Sequence, residues 1–267
     1  MKKHIQLYSL KNEAEADFLG TLRRLKALGF DGVEFYGGFD WGFEAPQLRN
    51  VLAEIGLELV SCHVPSDDVA RNVEFAKELG VQYLIDPMAA MKDCNEALEF
   101  CKKLEMAGEI CKKHGIIFGY HNHAHEFAIG KDGYLLETLL RNTDPELVCF
   151  QLDVGWAAFA GVDSADLIKK YPGRFKILHF KECGHAFGPG TGQGVFQANP
   201  EMRDKWNVKA GSGLVDWKGV FSAAFADGID CFIVEREHDY LGDIFKCAQE
   251  DLEALCGFLD GKREGAI

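Results

Sequence analysis

No apolar run in the 267 residues approaches the ~18 that a membrane-spanning helix requires, so no membrane partner is expected. A secretory apolar region is also missing, since Met1-Lys2-Lys3-His4 runs straight into an alternating strand. Nine cysteines occur, at 62, 94, 101, 111, 149, 183, 231, 247 and 256, and no C-x-x-C pair is among them. An odd, scattered set without a signal reads as reduced thiols in core or helix-face positions of a cytoplasmic protein. Positive charge is in short supply: 29 Lys and Arg against 42 Asp and Glu leave a net charge of −13. Nucleic-acid binders usually carry a basic footprint, so no nucleic-acid partner is expected. There is no linker and no low-complexity segment. Nor does a Gly-rich phosphate turn follow the first strand, where the chain reads Ser9-Leu10-Lys11-Asn12. Its absence weighs against an open doubly wound sheet, the alternative fold.

What is present is a regular alternation, in a chain with enough hydrophobic residues (47%) to bury a core without disulfides. Short β-branched or aromatic runs at 4–9, 32–36, 57–63, 82–86, 115–121, 147–154, 175–181 and 230–236 predict strands. Helices are predicted near 13–28, 44–55, 67–79, 93–113, 133–142, 164–171, 216–227 and 242–260. Leu28-Gly29-Phe30, Ile55-Gly56-Leu57, Leu79-Gly80-Val81, His114-Gly115-Ile116 and Asp227-Gly228-Ile229 repeat a helix–Gly–strand form, with glycine as the left-handed cap. Eight strands alternating with eight helices predict an α/β fold, a single-domain (β/α)8 TIM barrel over residues 1–267. One connection is too long for this economy. From about 183 to 213 there is no periodicity, and Gly184, Gly188, Gly190, Gly192 and Gly194 crowd its first half. A loop of that length is expected to act as a lid or partner contact, docked by Phe196 and Trp206.

In this fold the chemistry sits where the strands end. Those ends carry Glu34, His63, Asp86, the cluster His121-Asn122-His123-Ala124-His125-Glu126, Asp153, His179 with Lys181, and Glu235 with Glu237 and His238. Period-two alternation puts Gln151 with Asp153, His179 with Lys181, and Glu235 with Glu237 on common faces. Neighbouring strands lie about 4.8 Å apart, so Asp153, His179 and Glu235 can converge. Crowded carboxylates repel unless protonated or bridged by a cation. Mixed His/carboxylate ligation suits manganese first, with cobalt, iron or zinc also open. The plainer roles are a turn cap for Asp153, a core histidine for His179 and a rim salt bridge from Glu235 to Arg236 or Lys181.

Gly119-Tyr120-His121-Asn122-His123, Phe150-Gln151-Leu152-Asp153, Ile177-Leu178-His179-Phe180-Lys181-Glu182, Phe232-Ile233-Val234-Glu235 and the early Gly29-Phe30-Asp31-Gly32-Val33-Glu34 together resemble the xylose-isomerase-like sugar isomerase/epimerase superfamily. The resemblance implies one divalent metal ion (manganese, or cobalt, zinc, iron or magnesium) held by Asp153, His179, Glu235 and a strand-five ligand. That ligand is Glu126 by first choice, with His121 or His123 in reserve. It implies His121, His123, Glu235 and Lys181 as catalytic groups, and Glu34, His63, Trp156 and His238 as substrate contacts, Trp156 by stacking on a sugar face. The His-Asn-His form resembles the branch acting on inososes and 3-keto-sugars.

The implied reaction is proton abstraction next to a carbonyl of a keto-sugar, with the metal as Lewis acid. An isomerase/epimerase is the leading expectation. A lyase or dehydratase on inososes or 3-keto-glycosides is the alternative. Two other classes stay open: a metal-dependent phosphodiesterase of the endonuclease IV type, and a non-catalytic sugar-binding or assembly subunit. The expected partner is a small sugar or cyclitol, and self-association is left open.

Overall fold

A computed structural model describes residues 1–191 and 205–263. Eight parallel strands close into a barrel: β1 (Lys3–Gln6), β2 (Gly32–Phe35), β3 (Glu58–His63), β4 (Tyr83–Asp86), β5 (Ile117–His121), β6 (Val148–Asp153), β7 (Phe175–Phe180) and β8 (Cys231–Val234). They pair in chain order, and β8 returns to β1. All eight fall within or beside the runs read from sequence, and the helices between them cover the barrel. Gly29 (φ 106°) and Gly56 (φ 81°) take the left-handed caps that turn helix into strand.

Three local departures matter for the site. β1 stops at Gln6 and gives way to a tight turn, Leu7–Leu10. The first expected helix is two, Lys11–Ala16 and Phe18–Leu28, because Asp17 breaks it and caps the second by accepting from the Gly20 N–H. A short helix, Val154–Phe159, follows β6 directly with Asp153 as its N-cap. In addition, a small antiparallel pair, Ile129–Gly130 with Gly133–Tyr134, is inserted between β5 and β6.

Alternation along the strands sorts the barrel interior into layers. Val60, Tyr83, Ile85, Cys149, Ile177, Cys231 and Ile233 form an apolar plug. One step nearer the C-terminal end the inward positions turn polar: Gln151 follows Cys149, His179 follows Ile177, and Glu235 follows Ile233. Pairing sets these groups opposite one another, Gln6 with Glu34, Glu34 with Ser61, His121 with Gln151, and Asp153 with His179. The plug excludes water from below, so the polar layer is buried and open only toward the rim.

The described ends of the long connection fold back on each other. Gly184 N–H donates to the Trp206 carbonyl (2.9 Å), and Leu214 N–H donates to the Cys183 carbonyl (2.8 Å). Trp206 is docked and almost fully buried, as its size led one to expect. Gly192, Gly194 and Phe196 lie outside the described residues.

Candidate metal centre

His121, Asp153, His179 and Glu235, from β5, β6, β7 and the end of β8, each turn a ligand atom inward. Those four atoms lie within 4.8 Å of one another. Asp153 Oδ1 accepts the Trp156 N–H (2.7 Å), as an N-cap should. Oδ2 is sealed from solvent and receives no hydrogen bond from any described residue. Facing it are Lys181 Nζ at 3.4 Å, His179 Nδ1 at 3.8 Å and His121 Nε2 at 4.0 Å. A buried carboxylate oxygen left in this way is costly unless a charge compensates it. Two imidazole nitrogens and two carboxylates around one point are a donor set for a divalent cation, and they fit one.

The groups behind the ligands fix which nitrogen of each ring faces the centre. Gln151 Oε1 can only accept, so His121 Nδ1 (2.9 Å) and His63 Nε2 (2.9 Å) both donate to it. His121 Nε2 is thereby left to face Asp153. Glu34 lies behind His179 and accepts from His179 Nε2 (2.7 Å), Gln6 Nε2 (2.7 Å), Ser61 Oγ (2.5 Å) and Gln151 Nε2 (2.7 Å). His179 Nδ1 is thus directed at Glu235 Oε2, 2.6 Å away. Histidines that bind metals characteristically tie back their other ring nitrogen in this manner.

The electrostatics carry the same strain. Burial pushes Asp153 up to about 7, with Lys181 opposing and the Glu235 charge adding. Burial would also raise Glu235, but Lys181 and His179 hold it well below the usual carboxylate range. For Glu34 burial is likewise outweighed, by His63 and His179, and the carboxyl is held low. His179 would be lowered by burial, yet Glu34 and Glu235 push it up to about 10. Burial holds His121 and His123 well below the ordinary imidazole range. Like charges are thus compressed together in a dry site, the situation that a cation relieves.

Above the centre is a cavity of about 270 Å³, the size class of a small ligand, lined among others by Tyr8, Tyr36, His63, His121, His123, Glu235 and Glu237. His123 presents its ring there, and its buried Nδ1 has no hydrogen-bond partner among the described residues. Lys181 lies just beneath, its ammonium 2.6 Å from Glu237 Oε1 and 4.5 Å from the centre of the Trp156 ring. Gly155 permits this approach, because a Cβ there would stand 2.6 Å from Lys181 Cγ and 2.9 Å from its carbonyl oxygen.

Four of the expected site residues lie away from the converging groups or the cavity. Glu126 is not among the converging groups. It sits in the tight turn His125–Phe127, where Oε1 accepts from Tyr120 Oη (2.5 Å) and Oε2 from the His123 N–H (2.9 Å), and so it braces the His-Asn-His turn. His121, held in reserve as the strand-five ligand, occupies the place instead. Glu34 does not line the cavity; it is wholly buried behind His179 and His63. Trp156 is 3% exposed and packs on Trp206 (ring centres 4.8 Å) and Phe159 rather than offering a face to a sugar. His238 is half-buried past β8 and is not among the described residues that line the cavity. Sequence reasoning did not find Gln6, Ser61, Tyr8 or Tyr36 as site residues. The first two sit opposite Glu34 in register, which was the available signal. The tyrosines lie just beyond β1 and β2, where strand alternation gives no signal.

Two substitutions separate these roles. Glu126→Gln keeps its shape and should retain stoichiometric metal, as read by elemental analysis of dialysed protein. Glu34→Gln should weaken divalent-ion affinity by about 10–100-fold, the usual effect of removing a carboxylate behind a ligating histidine, as read by calorimetric titration.

Residues 22–258 match the family described as xylose isomerase-like TIM barrel. The chain belongs to that family. It is a metal-binding TIM-barrel enzyme of carbohydrate chemistry. Its curated relatives include an inosose dehydratase of Geobacillus kaustophilus, 26% identical over 249 residues that cover 82% of this chain and 80% of that one. An inosose dehydratase of Lactiplantibacillus plantarum is 29% identical over 143 residues, covering 53% of this chain. The chain spans 47% of the length of that relative, and about half of several others. Among solved structures, a sugar phosphate isomerase/epimerase from Parabacteroides distasonis superposes with a TM-score of 0.76 at 29% identity, covering 95% of this chain and 93% of that one. No helix among the described residues is long and apolar enough to cross a membrane.

Proposed function

We propose that this enzyme is a dehydratase: it removes a proton next to the carbonyl of a polyhydroxylated ketone, an inosose or 3-keto-sugar, and expels a β-hydroxyl as water. The isomerase/epimerase reading, the leading expectation from sequence, becomes the second choice. The observation that carries the proposal is the shared position of a base and an acid. The His123 ring and the Lys181 ammonium flank the same indole, Trp156, at 5.5 and 4.5 Å. Elimination needs a base and a separate acid close together, and His123 and Lys181 are such a pair. The run of inosose dehydratases among the relatives supports the same choice.

His121, Asp153, His179 and Glu235 would hold the divalent ion, manganese by first preference. Once bound, it supplies Lewis acidity toward the substrate oxygens. His123, kept neutral by burial, takes the α-proton. Burial would lower Lys181, but Asp153, Glu235 and Glu237 outweigh it and keep the ammonium protonated; it gives its proton to the departing hydroxyl. His63, backed by Gln151 and Glu34, donates to or accepts from a ring hydroxyl at the cavity wall. Tyr8 and Tyr36 meet edge to face at 5.3 Å and give the mouth an apolar wall for a sugar ring.

The test is a panel of inososes and keto-sugars incubated with the manganese-loaded protein in deuterium oxide. The expected product has lost one water and absorbs in the ultraviolet as a conjugated enone or dione. Deuterium uptake with no loss of mass would instead establish epimerisation or isomerisation.

A further inference from the structure

Two residues next to the site point out of the barrel rather than into it. Glu235 faces the centre, and Arg236, one step on, faces the opposite way. Arg236 does not pair with Glu235. It forms a buried two-pronged ion pair with Asp251 of the last helix, Ile244–Arg263: Nε donates to Oδ2 at 2.7 Å and Nη2 to Oδ1 at 2.6 Å. Its backbone N–H donates to Ser9 Oγ (2.9 Å), and Nη2 also reaches the Val208 carbonyl (3.2 Å). Asp251 Oδ1 in turn accepts the Ala210 N–H (3.3 Å). The Arg236–Asp251 ion pair therefore ties together the end of β8, the last helix and the returning limb of the long β7 connection, and the Arg236 backbone N–H adds the turn after β1.

That limb has a second anchor of the same kind. Glu182 follows Lys181 as Arg236 follows Glu235, and it also faces outward. It accepts the N–H groups of Cys183 (2.9 Å), Gly211 (2.8 Å) and Val215 (3.2 Å) and the Trp217 indole N–H (2.7 Å). Between strand β7 and these anchors the limb carries Trp206, whose ring packs on Trp156 and lies 5.2 Å from the Lys181 ammonium.

We propose that the Arg236–Asp251 pair is a positioning device for the metal centre, holding the Glu235 backbone in place and seating Trp206 over Lys181. Neither residue lines the cavity or faces the four converging ligand atoms, so the pair acts only through its neighbours. The chain of contacts is continuous. The Arg236 fork fixes the peptide that carries Glu235, and the Val208 and Ala210 contacts fix the limb two and four residues beyond Trp206. Charge and geometry are both needed. A lysine at 236 would keep the charge but lose the planar fork that spans both Asp251 oxygens.

The inference rests on the metal-centre reading above, so its test has one readout that depends on metal and one that does not. The first is the manganese dissociation constant, from free-ion counting by electron paramagnetic resonance, for wild type, Asp251→Asn and Arg236→Lys. The second is the far-ultraviolet exciton signal expected from the Trp156–Trp206 pair, assigned by its loss in Trp206→Phe. Both are recorded well below the unfolding midpoint of each variant. The expected result is manganese binding weaker by about 10–100-fold and a diminished exciton signal in both variants. Manganese affinity within about twofold of wild type, with the exciton signal intact and only the unfolding midpoint lowered, would show a merely structural pair and overturn the proposal. Should Asp251→Asn not fold, Arg236→Lys gives the same two readings in milder form. If wild type itself binds no manganese, the metal-centre reading fails, and the exciton signal alone then decides whether the pair seats Trp206.

Discussion

Asp153→Ala and His179→Ala should each lose bound divalent metal to background, and turnover should disappear with it. The expected drop in affinity exceeds the ~10–100-fold that follows loss of a group behind a ligand, because these two side chains face the centre themselves. Asp153 offers a carboxylate oxygen that is buried and receives no hydrogen bond from any described residue. His179 is the group through which Glu34 and Glu235 are linked. The two variants should differ in stability. Asp153→Ala removes a buried acid whose charge is already disfavoured, pushed up to about 7 by burial. His179→Ala leaves Glu34 facing a void with one of its two charge partners gone and His63 remaining, and breaking a buried pair from one side costs about 3–5 kcal/mol. Metal analysis after exhaustive dialysis, paired with thermal unfolding, checks both statements. A full equivalent of metal retained in either variant would refute the ligand assignment.

The convergence of Asp153, His179 and Glu235 is legible in the sequence, and for a simple reason. A barrel strand has period two and ends at the catalytic rim, so an inward apolar residue followed two positions later by an inward polar one marks both the direction and the height of the site. Ile177 then His179, and Ile233 then Glu235, are legible in that way. The helix–Gly–strand joints are legible because only a left-handed cap turns the chain so sharply. The misplacements share a cause. Glu126 and Trp156 lie beyond the last strand residue, where period two no longer applies. Glu126 is claimed by the turn that must hold His123, and Trp156 by the helix that starts at Asp153. Glu34 fails differently. Pairing of β2 with β3 shifts register at Val33/Glu34, and the chain runs on to Phe35 and Tyr36 before reaching the rim. Glu34 is buried behind the imidazoles and accepts from His179 Nε2.

Lys181→Met should separate the two halves of the proposed reaction. Methionine keeps the length of the side chain and its contact with Trp156 and Trp206 but carries no proton. Turnover to the dehydrated product should fall by about 10²–10⁴-fold, the usual contribution of one positioned acid. Exchange of the α-hydrogen with solvent deuterium should persist, because His123 and the ligands remain. The metal should also persist and bind more tightly, since removing the ammonium 3.4 Å from Asp153 Oδ2 and 3.5 Å from Glu235 Oε1 leaves those carboxylates with more unmet charge. Lysine and metal would thus compete for the same two carboxylates, and Glu237, 2.6 Å from the ammonium, is the third carboxylate that holds it. Glu237→Gln should therefore let Lys181 lean toward the centre and weaken metal binding, the opposite sign from Lys181→Met. Calorimetric titration of the two variants, with deuterium exchange followed by mass spectrometry, reads both. Equal loss of exchange and turnover in Lys181→Met would mean that this lysine takes the proton rather than giving one, and the roles of Lys181 and His123 would have to be reversed.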